Sequence, residues 1–156
     1  MDPRQRVEEY LQAQGVRYEV IAHASAYTMP EVAAALHIPG RRVAKVVVVA
    51  ADDRHAMFVV ASPDRLDFKK VRAALGAREV RLAKEREFAS LFPDSLTGAM
   101  PPFGQLYNLP VYVDQALAEE PEIVFRAGTH SHTIRMAYAD FARLAQPVVG
   151  DFVLRA

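Results

Sequence analysis

A lysine stands near the start of an otherwise apolar, β-branched run in this sequence. Residues 43–51 read VAKVVVVAA, so every residue of the run except Lys45 is Val or Ala. Such a run predicts a strand that is covered on both faces. A lysine there either extends its ammonium to solvent along the strand end or is held at a cleft edge, where it can grip a phosphate or polarise a carbonyl.

A second candidate for chemistry is the loop TGAMPPFG at residues 97–104. Its two glycines and two adjacent prolines predict a stiff loop with unusual backbone angles. Such a loop can aim several backbone N–H groups in one direction, as an oxyanion hole does. The alternative is a rigid connector in which Met100 and Phe103 are ordinary hydrophobic plugs.

A third candidate is the stretch AGTHSHT at residues 127–133. His130 and His132 would share one face if this stretch were extended, and would then form half of a metal site. No cysteine, nearby carboxylate or third histidine has ligand spacing, so we predict that no metal binds here. His130 is better interpreted as a loop histidine that hydrogen-bonds a substrate.

The composition limits the function further. The chain has 156 residues, no cysteine, and 19 basic against 19 acidic residues. This length predicts one domain, residues 1–156, and the missing cysteine excludes thiol nucleophiles and Cys-based zinc sites. The zero net charge argues against attachment to nucleic acid by bulk charge, although four basic residues are candidates for a local rim: Arg41, Arg42, Lys69 and Lys70. Without an apolar signal core or a run that could span a membrane, we expect a cytoplasmic protein with no membrane contact.

The candidate residues must be positioned by a mixture of helices and strands. The patterns predict helices near residues 3–14, 28–37, 67–75, 84–92 and 140–145. They predict strands near 17–23, 43–51, 56–61, 78–83, 106–108, 111–113, 123–127, 133–137 and 148–154. The segment 93–104 is expected to be irregular. Because this order has no regular βαβ alternation, it favours an α+β domain around a mixed sheet.

In their order along the chain, the motifs resemble the YbaK/EbsC family. They read VAKVVVV, LDFKKVRAALGAREVRLA, GAMPPFG and AGTHSHTIRMAYADFARL, and the resemblance extends from about residue 16 to residue 154. This family includes the editing domain inserted in bacterial prolyl-tRNA synthetases and its free-standing relatives. The resemblance implies a single α+β domain whose mixed, mostly antiparallel sheet, or partly open barrel, is flanked by helices. It also implies hydrolysis of mischarged aminoacyl-tRNA without a metal or a cofactor.

The resemblance assigns roles to particular residues. Those it implies to be catalytic are Lys45, Gly98 and His130. Those it implies to bind substrate are Ala99, Met100, Pro101, Pro102 and Gly128. Val46 departs from the pattern, because some members that remove alanine from proline tRNA carry asparagine after the lysine. The resemblance therefore does not imply alanine specificity.

Together these inferences predict a hydrolase that cleaves the ester of mischarged aminoacyl-tRNA. Because the chain has no cysteine and no recognisable serine nucleophile motif, water is the expected attacking group. The expected partner is the acceptor end of the tRNA, and an aminoacyl-tRNA synthetase or elongation factor can add affinity. The alternatives are a non-catalytic binding module for a nucleotide or a tRNA 3′ end, and a hydrolase of another small ester or amide.

Overall fold

The computed structural model of the protein describes residues 3–24, 28–93 and 99–155. Within these residues the helices are α1 (Pro3–Ala13), α2 (Met29–Ala35), α3 (Phe68–Leu75), α4 (Glu85–Leu91), α5 (Gln115–Ala118) and α6 (Tyr138–Ala145). The strands are β1 (Tyr18–Ala22), β2 (Ala44–Ala51), β3 (Arg54–Ala61), β4 (Val80–Leu82), β5 (Val111–Asp114), β6 (Glu122–Arg126), β7 (His132–Ala137) and β8 (Val148–Gly150). No helix in this part of the chain is long and apolar enough to cross a membrane.

Side-chain caps set the beginnings of α2 and α3. The Thr28 hydroxyl accepts a hydrogen bond from the backbone N–H of Glu31 (3.2 Å), and the Glu31 carboxylate accepts one from the backbone N–H of Thr28 (3.0 Å). This reciprocal pair is a capping box. Asp67 caps α3 by accepting from the backbone N–H of Lys69 (3.0 Å). Both helix beginnings border cavities near the start of β2, because Met29 and Phe68 line them.

The strands form two sheets that meet at the start of β2. The three-stranded sheet has the order β1-β7-β6 and is antiparallel throughout. The five-stranded sheet has the order β4-β2-β3-β5-β8, with antiparallel pairs among β4, β2 and β3 and parallel pairs from β3 to β8. A bridge between Val43 and Val124 joins the two sheets. The expected α+β domain with a mixed sheet and flanking helices is confirmed, and the sheets do not close into a barrel.

Apolar side chains fill both faces of the five-stranded sheet. The inner face packs on the three-stranded sheet, and its members include Val48 and Met57. The outer face packs on α3 and the C-terminal residues, with Val49 and Phe58 among its members. The prediction of a strand covered on both faces is therefore confirmed for β2, since its alternate residues enter the two clusters.

Some predicted elements are wrong. Residues 106–108 are not a strand, because Gly104–Tyr107 forms a 3₁₀ turn that Asn108 ends in the left-handed conformation (φ 58°). The short helix α5, which Asp114 caps by accepting from the backbone N–H of Ala116 (3.1 Å), was not predicted. The C-terminal strand is shorter than predicted and ends at Gly150.

Candidate active site

Lys45 lies at the open end of β2, with its backbone fixed by the hairpin. It pairs with Val60 of β3, while β4 covers only the other end of β2, from Val49 to Ala51. Strand alternation places Lys45 on the outer face with Val47. Within the part of the chain that the structure describes, no side chain hydrogen-bonds or ion-pairs with Lys45.

Burial governs the charge of Lys45. Loss of hydration lowers the pKa of its ammonium below the usual range. The Asp64 carboxylate partly offsets this effect, and the Arg65 guanidinium adds to it. Both act at a distance, so Lys45 keeps its hydrogen-bonding capacity for another group. A half-buried cation of this kind can bind an anion or polarise a carbonyl with little competition from the protein.

A narrow cavity of about 70 Å³ opens beside the start of β2. Four parts of the fold build it: α2 supplies Met29, β2 supplies residues 44–46, the loop after residue 98 supplies Met100, and β6 supplies Phe125 and Arg126. Its walls are therefore apolar except for the two cations, Lys45 and Arg126. We call this space the narrow cavity.

The loop that follows residue 98 is packed into the fold. Ala99, Met100, Pro101 and Pro102 are buried, and Phe103 is fully buried against the rings of α1, β6 and α6. Met100 reaches the narrow cavity, while the two prolines do not line it. Gly98 lies outside the described residues. Its expected contribution to an oxyanion hole, with the neighbouring backbone N–H groups, therefore stays a prediction.

Gly128 connects this loop to the turn between β6 and β7. Its backbone N–H donates to the carbonyl of Ala99 (2.8 Å), and its φ is +90°. A Cβ at Gly128 would lie 2.7 Å from Cβ of Pro3, so a side chain does not fit there. These contacts give Gly128 a structural task, and its expected part in substrate binding stays a prediction.

His130 does not line the narrow cavity itself, but it contacts Arg126, which does. The Arg126 guanidinium donates to the carbonyl of His130 (3.1 Å), and its Nη1 lies 3.2 Å from Nδ1 of His130. Burial lowers the pKa of Arg126. The sequence reasoning missed Arg126, although it has the signal that singled out Lys45: a cation at the end of an apolar strand. It also missed Met29, which no local pattern marks.

The two loop histidines lie in different backbone elements. His130 lies in a turn and His132 begins β7, so the two do not share a strand face. The Nδ1 atom of His132 instead lies 2.9 Å from the hydroxyl of Thr129 and 3.1 Å from that of Ser131. Among the described residues no group of three or more His, Cys, Asp or Glu side chains could hold a metal ion. Metal-independent chemistry stays a prediction.

Ion pairs neutralise most of the expected basic rim. Arg41 and Arg42 both pair with Glu120, at 3.3 and 3.0 Å. Lys70 pairs with Asp151 at 2.9 Å. Three of the four basic residues that were candidates for the rim therefore have carboxylate partners. Lys69, the fourth, has no carboxylate partner among the described residues.

The comparisons with known proteins decide the family. A family model described as the aminoacyl-tRNA editing domain matches residues 23–144. The chain belongs to this family. The resemblance inferred from the four motifs is thereby confirmed.

Relatives agree with this assignment. The multifunctional Ser/Thr-tRNA deacylase ProXp-y of Escherichia coli (strain K12) is 29% identical over 101 residues, which are 64% of this chain and 60% of that protein. A proline–tRNA ligase of Shouchella clausii is 33% identical over 104 residues, which are 67% of this chain and 18% of that enzyme. The match thus spans 60% and 18% of the length of these two curated relatives.

A solved structure matches the whole fold. The crystal structure of a candidate trans-editing enzyme for prolyl-tRNA synthetase superposes with a TM-score of 0.88 and 26% identity. The match covers 99% of this chain and 99% of that one. The arrangement of helices and two sheets is therefore shared with that structure.

Proposed function

We propose that this chain hydrolyses the ester that joins a small amino acid to the terminal ribose of a mischarged tRNA. The observation that carries the proposal is the narrow cavity, whose apolar walls are flanked by Lys45 and Arg126 in a chain of the editing family. A volume of about 70 Å³ suits a small side chain, since it equals roughly two water molecules' share of liquid. The ester carbonyl would then lie at the mouth, beside Lys45.

The proposed reaction is attack by water on the ester carbonyl. The water oxygen bonds to the carbonyl carbon, the bond from that carbon to the ribose oxygen breaks, and the ribose oxygen takes a proton. The products are the free amino acid and tRNA with its hydroxyl restored. Lys45 holds the terminal phosphate or the carbonyl, and His130 orients the substrate through the turn that Arg126 fixes. The ribose hydroxyl next to the ester is the proposed proton shuttle.

Backbone N–H groups of residues 98–100 are proposed to stabilise the oxyanion. Losing one such donor typically costs about 3–4 kcal/mol of transition-state stabilisation. The described part of this loop is consistent with that task, because Ala99 is held in place by Gly128 and the following prolines are buried. A rigid loop aims its donors before the ester arrives.

The amino acid removed is proposed to be small, with serine, threonine and alanine as the first candidates. Serine and threonine are named for the E. coli relative. Val46 lines the narrow cavity and offers it an apolar surface in place of an amide. A cavity with this wall discriminates by size more than by hydrogen bonding, and one methylene is worth only about 1–3 kcal/mol in such a pocket.

The aminoacyl-tRNA acceptor end is the proposed partner, and the cytoplasm is the proposed location of the activity. A synthetase or elongation factor that holds the same tRNA is a further proposed partner.

The proposed reaction uses no metal, so activity should survive a chelator. Loss of activity in chelator with specific recovery in zinc would contradict this part of the mechanism.

A deacylation screen tests the proposal. Purified protein is incubated with a panel of tRNAs mischarged with alanine, serine, threonine, valine and phenylalanine, and the remaining aminoacyl-tRNA is measured. We expect turnover of small aminoacyl groups and none of phenylalanine. Binding without any turnover would favour the non-catalytic module. Equal rates on simple amino acid esters would favour a general small-ester hydrolase.

A further inference from the structure

A second cavity shares Lys45 with the narrow cavity. It has a volume of about 440 Å³ and lies on the outer face of the five-stranded sheet, where Lys45 and Val47 of β2 meet Arg65, Phe68, Leu82 and Leu154. We call it the outer groove. The backbone holds its far wall, because Leu66 bridges Val153 and the N–H of Leu154 donates to the carbonyl of Arg65 (2.9 Å).

The outer groove concentrates exposed apolar surface. Phe68, Leu82 and Leu154 are 37%, 56% and 60% exposed. Of the six large apolar side chains that are exposed in the described residues, these three line one groove. Single exposed apolar residues are ordinary, whereas a cluster around a concave surface indicates a binding site.

The groove is also cationic. The Arg65 side chain is exposed, and in the described residues neither it nor Lys45 has an ion-pair or hydrogen-bond partner. Asp64 is the nearby carboxylate, and it acts on Lys45 only at a distance. The groove therefore combines an aromatic face, aliphatic walls and two cations. An apolar ligand alone would leave the cations unused, and a phosphate alone would leave the apolar walls exposed.

We propose that the outer groove binds the 3′-terminal nucleotide of the RNA substrate, with its base against Phe68 and its phosphate at Arg65. A nucleotide has both a flat face that stacks on aromatic rings and an anion that binds guanidinium. Lys45 lies between the two cavities, so the ester-bearing ribose sits beside it while the amino acid enters the narrow cavity. This inference rests on the proposed function, because Lys45 lines both cavities and that function gives the groove its occupant.

Binding of an uncharged RNA hairpin that ends in single-stranded ACCA tests the inference by fluorescence anisotropy. We expect Phe68→Ala and Arg65→Gln each to weaken binding by about five- to fifty-fold, in the range of one stacked base. The matched controls are Val149→Ala, an exposed apolar residue on β8, and Arg72→Gln, an exposed arginine of α3 outside the groove. Both controls should bind within twofold of wild type.

A hairpin that lacks the terminal adenosine completes the test as a double-mutant cycle. Wild type should lose affinity for the shortened hairpin, whereas Phe68→Ala should lose nothing further. The inference would be overturned if Phe68→Ala and Arg65→Gln bound the full hairpin as tightly as wild type does. It would also be overturned if removal of the terminal adenosine cost wild type and Phe68→Ala the same affinity. It would also be overturned if Phe68→Ala only converted a dimer to a monomer in sedimentation velocity, because the groove would then be a surface for self-association.

The two proposals fail separately. Because the hairpin carries no amino acid, its binding does not depend on hydrolysis. A wild type that binds the hairpin through Phe68 but cleaves no aminoacyl ester would remove the proposed function alone. If wild type cleaves the ester, and Phe68→Ala and Arg65→Gln match it in both hydrolysis and hairpin binding, only the proposed role of the outer groove is refuted.

Discussion

The two ends of β2 both border cavities, and they differ in what satisfies their charged groups. At the end near Ala51 the cavity is about 330 Å³, and the Asp52 carboxylate there accepts backbone N–H groups of Arg78 and Glu79 at 3.0–3.2 Å. At the other end the narrow cavity is about 70 Å³, and no described side chain pairs with Lys45. At the larger space the Asp52 carboxylate is satisfied by backbone N–H groups, whereas at the smaller space Lys45 keeps its hydrogen-bonding capacity for a ligand. Cavity size alone therefore does not identify the site.

The same contrast extends to the neighbouring side chains. Near Ala51, Glu87 binds both Arg81 (2.6 Å) and His55, so three ionisable groups satisfy one another. Near Lys45, the second cation of the narrow cavity is Arg126, which holds the turn of His130. We call the Ala51 end of β2, which β4 covers, the closed end, and the Lys45 end the open end. We infer that charges at the closed end stabilise the fold, while charges at the open end act on substrate. Changes made at the two ends should therefore have different consequences.

The largest effect is expected from Lys45→Ala. Hydrolysis should fall by at least about a hundred-fold, because the cation that faces the ester is lost. Stability should be kept or raised, since the variant no longer buries a charge without a partner. Single-turnover rates and thermal unfolding measure the two effects. Arg81→Ala is the control at the closed end, and it should hydrolyse at the wild-type rate. Equal rates for Lys45→Ala and wild type would remove Lys45 from the mechanism.

Filling the narrow cavity should have the next largest effect. Val46→Phe adds a ring where Val46 lines the wall, so the amino acid can no longer enter. We expect kcat/KM to fall by about ten-fold or more, with a larger loss for threonine than for alanine. Val149→Phe places the same ring on a residue of β8 that is 49% exposed, and it should leave the rate unchanged. An unimpaired Val46→Phe enzyme would place the amino acid elsewhere.

A glycine substitution tests the contact that holds the turn between β6 and β7 against Pro3. Gly128→Ala should reduce the free energy of unfolding by about 1–3 kcal/mol, because φ is positive and the new Cβ meets Pro3. It should also slow hydrolysis by displacing Ala99. Gly76→Ala is the matched control, since Gly76 has φ +61° with nothing within 4 Å of a Cβ. Chemical denaturation should show the smaller loss for Gly76→Ala, and two equal losses would argue against a role for the contact with Pro3.

The smallest effect is expected at the closed end. Arg81, His55 and the backbone N–H of Lys84 lower the pKa of Glu87 from 4.5 to about 2. The stabilisation by ionised Glu87 is therefore fully present above pH 4.5 and is lost as the pH falls toward 2. The difference in Tm between wild type and Glu87→Gln should shrink over that range, while hydrolysis at neutral pH stays unchanged. A Tm difference that is constant from pH 7 to pH 2 would mean that the ionised carboxylate does not stabilise the fold.

Local sequence patterns predicted one half of the site better than the other. Lys45 and the α3 helix that begins after Asp67 have signals within a few neighbouring residues: a lone charge in a valine run, and an N-cap before an amphipathic stretch. Arg126 reaches the same cavity because β6 lies beside the start of β2, and Met29 reaches it from α2. No short motif contains that information.

The errors also have physical causes. Residues 106–108 were predicted as a strand from their apolar pattern, but Asn108 adopts a left-handed conformation that ends a 3₁₀ turn. Gly104 permits that turn to pack, since a Cβ there would lie 2.4 Å from the carbonyl oxygen of Leu109. Backbone requirements of this kind override a short apolar run.

The most direct test of the central claim is the pKa of Lys45 itself, measured by NMR on protein with isotope-labelled lysine. Lys45→Arg assigns the signal, and the titration is repeated with a 2′-O-methylated RNA that ends in CCA, resists alkaline cleavage and carries alanine through a 3′-amide in place of the ester. Burial should hold the pKa of free Lys45 below its usual range. The account predicts that bound RNA raises this pKa, because a phosphate or carbonyl oxygen then stabilises the ammonium. An unchanged pKa of Lys45 in the RNA-saturated protein would contradict the claim that this lysine faces the substrate.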